Sequence, residues 1–177
     1  MTDVDELAPL RRALDQLTAL LKDVPSEALS DQTPCEDWTV RDLVDHIVAA
    51  PTRAARMMRN ESIDWSAPTP SAGDDPAGEF EVHATELLRA WQEGDDPTGR
   101  ASVDWQCAEL AVHTWDLATA LHRSTRDLDP DVAERGLAFM RAALTNDNRS
   151  PVFGPERPAP VGADAYQRIA AFAGRAV

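Results

Sequence analysis

An otherwise apolar stretch, Cys107-Ala108-Glu109-Leu110-Ala111-Val112-His113-Thr114-Trp115, is interrupted by one acid and one imidazole four residues apart. On a helix that spacing raises the second residue by about one turn and rotates it by about 40°, so both side chains leave the same face. An ionised carboxylate is costly to bury alone, and a divalent cation removes that cost while also accepting a neutral imidazole. A second apolar run, Leu43-Val44-Asp45-His46-Ile47-Val48-Ala49-Ala50, carries His46 as the natural third donor. His46, Glu109 and His113, brought together from two facing helices, would form a His-His-carboxylate set with coordination positions left for water or substrate. The residues themselves leave a second reading open, in which Glu109 and His113 are an ordinary i, i+4 ion pair and His46 is a satisfied core histidine.

Other side chains have smaller roles in this reading. Asp116, three residues after His113, could orient that imidazole as carboxylates behind metal-bound histidines do, or serve as a surface or helix-pairing charge. Trp38, just ahead of the His46 segment, either lids the pocket or packs as a hydrophobic staple at the helix entry. Trp115 reads as core packing. Arg41, Arg53 and Arg56 share the His46 segment and could receive a substrate carboxylate bidentately, although solvated face charges are the simpler reading. His83 and His122 fall at unsuitable offsets and are expected to be exposed. No catalytic base can be named from the residues.

The elements that would position these groups are helical. Leu7, Leu10, Leu14, Leu17, Leu20 and Leu21 recur at helical spacing over residues 4–23, with acids early and Lys22 late. Pro25 ends that helix, and a polar connection with its own short turn follows. Thr39 caps a second helix whose stripe is Val40, Leu43, Val44, Ile47 and Val48, with Asp42 as an imperfect capping-box acid. Pro51 lies inside that pattern and predicts a kink or a restart.

The Pro-, Ser-, Asp- and Gly-rich segment from Glu61 to Gly78 suits a long crossover between bundle ends. A third helix, from about Gly78 to Glu93, carries Phe80, Ala84, Leu87, Leu88 and Trp91. The fourth, over residues 101–123, is the most apolar and is expected to be central. A fifth follows at about Asp129 to Leu144, with Val132, Leu137, Phe139 and Met140, and a short sixth closes the chain after a Pro- and Gly-rich loop. No strand-like alternation persists, so the fold class is all-α.

The 177 residues fit one domain, 1–177. Hydrophobic residues make up 43% and charged residues 27%, which suits a soluble globular chain rather than disorder. Seventeen basic against 31 acidic side chains leave a net charge of −14, which opposes nucleic acid and anionic membranes as partners. No apolar run approaches a membrane span and the first residues lack a secretory layout, so a cytoplasmic location is expected. Cys35 and Cys107 are too few for a disulfide scaffold and not spaced as a Cys-x-x-Cys pair, and read as reduced thiols. A homodimer through exposed helix faces is compatible with the sequence, which names no interface.

Two segments together, TPCEDWTVRDLVDHIVAA (33–50) and AELAVHTWDLATAL (108–121), resemble the signature segments of the DinB-like metal-binding superfamily. They are most similar to its actinobacterial branch, which includes the mycothiol-dependent maleylpyruvate isomerases. Residues 153–175, FGPERPAPVGADAYQRIAAFAGR, resemble the tail of small members. The resemblance implies a DinB/YfiT-like four-helix bundle with additional short helices. In it, His46, Glu109 and His113 hold a divalent metal, usually zinc, with nickel or another transition metal as alternatives.

The resemblance also implies mycothiol as cosubstrate. A metal at such a site binds the thiolate and raises its fraction at neutral pH. The implied activity is thiol S-transfer or isomerisation on an electrophilic small molecule, the alternatives being a non-catalytic binding module or a metal-assisted hydrolase. Two departures stand out. The connection EGDDPTGRASVDW is short where many relatives carry a longer insert, which is expected to leave one wall of the pocket missing or rebuilt. The isomerase proper carries a further C-terminal domain, whereas this sequence stops soon after its sixth helix, so maleylpyruvate isomerisation itself is not expected.

Overall fold

The computed structural model describes residues 5–35, 37–94, 102–149 and 152–177. Among them lie six α-helices and no strand: α1 (Ala8–Lys22), α2 (Val40–Met58), α3 (Pro76–Glu93), α4 (Val103–Ala120), α5 (Pro130–Ala143) and α6 (Ala165–Phe172), with a 3-10 turn at Ser26–Ser30. The all-α expectation holds. No helix among the described residues is long and apolar enough to cross a membrane.

Side-chain caps set most of the boundaries. Thr39 and Asp42 form both arms of a capping box at α2, at 2.9 and 3.3 Å, so the box expected to be imperfect is complete. Asp75 caps α3 and Pro76 occupies its first turn, which starts that helix two residues earlier than the apolar pattern predicts. Ser102 and Asp129 cap α4 and α5, and Asp164 and Gln167 close a second capping box at α6. The acids expected inside the first turn of α1 stand outside it, with Asp5 accepting from the Leu7 amide. Each such cap stabilises its helix by about 1 kcal/mol.

The chain passes through Pro51 without interruption, correcting the expected restart; Pro51 is buried inside a continuous α2. The connection after α2 runs back along that helix. Arg56 donates to the Ser62 carbonyl, Arg53 to the Thr69 hydroxyl, and Asp45 accepts from the Ala72 amide. The long segment therefore acts as a crossover, and α3 runs parallel to α2, with His83 beside Val48 and Gly94 beside Met58. His83 is half-buried, and its Nδ1 lies 2.7 Å from the Val48 carbonyl. The expectation that it is exposed fails because α3 packs its length against α2 and finds there a carbonyl to bond. His122 is exposed.

Helix α4 is the centre of the bundle and packs against α1, α2, α5 and α6. From residue 106 to residue 118 every side chain is buried except Glu109. Trp115 belongs to this core. Close approach of α5 depends on Gly136, where a Cβ would sit 2.6 Å from the Ala108 Cα. The middle of α1 and the N-termini of α5 and α6 are joined through the fully buried Tyr166, whose hydroxyl accepts from Gln16 at 2.7 Å and donates to the Asp129 carbonyl at 3.2 Å. This satisfies a phenol that would otherwise be costly to bury.

Candidate metal centre

Helices α2 and α4 run antiparallel where they touch, so His46 meets Glu109 while Trp38, ahead of α2, meets His113. His46 Nε2 lies 3.0 Å from Glu109 Oε1, and His113 Nε2 lies 3.4 Å from the same oxygen. One donor atom from each of the three residues falls within 4.8 Å of the others. The side chains remain 20%, 29% and 11% exposed for His46, Glu109 and His113, so the cluster is lined by protein yet open on the Glu109 side. Trp38 covers part of it, its ring centroid 4.8 Å from that of His46 and 6.1 Å from that of His113, nearly parallel to the latter.

Behind the three donors stands an outer ring of charge. Asp116 is fully buried, and its Oδ2 lies 3.1 Å from His113 Nδ1. A surface-charge role for Asp116 is thereby excluded. Arg175 donates to both Asp116 oxygens, at 2.9 and 3.0 Å, and its Nη2 also reaches Cys35 Sγ at 3.6 Å. Of the three arginines near His46, Arg53 alone approaches it, with Nη1 3.5 Å from Nδ1; Arg56 pairs with Glu61 and is exposed. Because a guanidinium only donates, His46 Nδ1 accepts there and Nε2–H donates to Glu109.

The same contacts set the charges. Burial opposes ionisation of Glu109, yet the two imidazoles outweigh it and hold the carboxyl well below its ordinary range. Burial likewise works against charge on His113, but Glu109 and Asp116 together raise its pKa to about 9. For Asp116, His113 and Arg175 overcome burial and lower the pKa. His46 is lowered by burial first, with the His113 charge adding to it against the hydrogen bond that His46 donates to Glu109. Without an ion, the cluster is a proton-bridged set: one carboxylate accepting from two imidazoles.

The family model for the mycothiol maleylpyruvate isomerase N-terminal domain matches residues 10–118, which span α1 to α4 and include all three donors. The chain belongs to this family. It is also 30% identical to uncharacterised proteins from two strains of Mycobacterium tuberculosis, over 98% of this chain and 100% of theirs. No solved structure matches it. Membership agrees with the all-helical bundle and places the His46 and Glu109–His113 segments inside the shared domain.

Within this family member the donor set fits a borderline transition metal better than a hard cation. Two imidazole nitrogens and one carboxylate oxygen suit zinc or nickel, whereas calcium and magnesium take oxygen ligands. Asp116 occupies His113 Nδ1, which leaves Nε2 turned toward Glu109 and supplies the hydrogen bond that metal-binding histidines ordinarily have on the other nitrogen.

Sequence reading missed Arg175, which lies 59 residues from Asp116 and outside the matched segment. The only signal was its position in the tail resemblance. The thiol of Cys107 is pushed up to about 12 by burial, which makes it unreactive as a nucleophile. The short 93–105 connection expected to rebuild a pocket wall lies largely outside the described residues, at 95–101.

Proposed function

We propose that the protein is a divalent-metal-binding, thiol-dependent transferase or isomerase, with His46, Glu109 and His113 as ligands, zinc as the metal and mycothiol as the thiol. The observation that supports this most is the meeting of two imidazoles, one from each of two helices, around one carboxylate oxygen, inside a family named for a mycothiol-dependent isomerase. When bound, the metal supplies Lewis acidity and lowers the pKa of a coordinated thiol.

The chain's own residues do the rest. Glu109 provides the anionic oxygen, and its exposed flank leaves the approach for a small molecule. Trp38 shields the imidazole faces from water. Asp116 holds His113 by its Nδ1 proton. Arg53, at the edge of the cluster, offers a cation to an anionic group on the substrate. The net charge of −14 supports a small-molecule rather than a polyanionic partner.

Elemental analysis of the purified chain tests the metal: near-stoichiometric zinc or another transition metal in the wild type and little in His46→Ala is expected, and equal content in both removes His46 as a ligand. Metal-loaded protein incubated with mycothiol and electrophilic acceptors tests the activity. Turnover that needs the thiol supports the proposal, turnover without it points to hydrolysis, and thiol-free, turnover-free metal binding reduces the protein to a binding module.

A further inference from the structure

Arg175 follows α6, far from the three donors in sequence and outside the segment shared with the family model. Its placement is nevertheless built by the fold. The amide of Gly174 donates to the Ala171 carbonyl at 3.0 Å and that of Arg175 to the Ala170 carbonyl at 2.9 Å, the paired bonds of a Schellman C-terminus. Gly174 takes φ +96°, and a Cβ on it would lie 2.8 Å from the Gly154 Cα, so both conformation and contact demand glycine. The buried Arg149 fixes the same end, donating to the Phe172 carbonyl at 2.7 Å with its guanidinium 4.3 Å over the Phe172 ring. The helix terminus is thus anchored before it delivers Arg175 to α4.

What Arg175 meets there is a carboxylate with no access to water. Both oxygens of Asp116 accept from its fork, and Oδ2 is shared with His113 Nδ1. A bidentate guanidinium fixes the plane of a carboxylate, and the plane of this carboxylate fixes which nitrogen of His113 faces Glu109. The third contact of Arg175, on Cys35 Sγ, lies in the loop that leads through Trp38 into α2. We propose that Arg175 is a positioning residue for the metal centre, holding His113 in its metal-ready orientation through Asp116 and so making metal affinity depend on the C-terminal turn of α6. The inference rests on the metal-binding reading above.

The test is the zinc dissociation constant of the metal-stripped full chain, measured by competition with a chromogenic chelator. The set comprises wild type, Arg175→Met, Arg175→Lys, Asp116→Asn and the double variant Asp116→Asn/Arg175→Met. Arg175→Met is expected to bind zinc about 10- to 100-fold more weakly, the range for loss of a group behind a metal ligand. Arg175→Lys keeps the charge but not the fork and should lie between the two. In the Asp116→Asn background, removal of Arg175 should add little, because the two act in series.

A cobalt-loaded Arg175→Lys protein should also show a shifted visible absorption band with unchanged far-ultraviolet dichroism, which a merely structural role would not produce. A folded Arg175→Met or Arg175→Lys chain with wild-type affinity and spectrum overturns the inference, as do fully additive effects. Should Arg175→Met not fold, Arg175→Lys decides alone. A wild-type chain that binds no metal overturns instead the reading on which the inference rests.

Discussion

Asp116 and His113, three residues apart on α4, are joined at 3.1 Å in a position where the carboxylate has no solvent contact at all. A buried anion of this kind is stable only while its cations stay in place. Asp116→Ala would leave Arg175 as a nearly buried, unpaired cation, and the expected loss is about 3–5 kcal/mol. Urea unfolding of the metal-free protein measures it. The double variant Asp116→Ala/Arg175→Met should lose less than the two single losses added together, since it removes both members of the pair.

Stability of the metal-free protein should fall as pH rises. The folded pKa of His113, about 9, lies above the ordinary 6.5, so its protonated contacts stabilise the fold fully below pH 6.5. That contribution fades between pH 6.5 and 9, to a total of about 3 kcal/mol, or roughly 6–12 °C in melting temperature for a chain of this size. Thermal melts in the presence of a chelator should show the decline, and His113→Gln should flatten it. A wild-type curve as flat as that of the variant would contradict the charge assignment.

Arg53 acts in the opposite sense to Arg175 toward a cation. It donates toward His46 Nδ1 and adds positive charge beside the donors, while Thr69 holds its other amino group. A metal on Nε2 needs the proton on Nδ1, which a guanidinium cannot accept. Arg53→Met is therefore expected to bind zinc several-fold more tightly than wild type in the chelator competition. Weaker binding would show that Arg53 supports the site rather than competing with it.

The contact between α4 and α5 gives a prediction independent of any metal. Gly136→Ala places a methyl 2.6 Å from the Ala108 Cα and 2.8 Å from its nitrogen, both backbone atoms that cannot rotate away. The helices must separate, which costs about 1–3 kcal/mol. A lowered urea midpoint checks this, and an unchanged one would mean that α5 rides more loosely on α4 than its packing indicates.

Local spacing was enough to read the helices, the leucine stripe of α1, the cap at Thr39 and the shared face of Glu109 and His113, because 3.6 residues per turn and a cap that spans four residues are properties of neighbouring residues. His46 could be named as a partner since an imidazole in an apolar stripe demands one, whichever helix supplies it. Tertiary packing alone decided the rest: that Arg53 and not Arg56 touches His46, that His83 turns onto Val48, and that Arg175 crosses 59 residues to hold Asp116. Periodicity records which face a helix buries, but which two faces meet, and which charged side chain is trapped between them, follows from the crossing of whole helices and the turns that aim their ends.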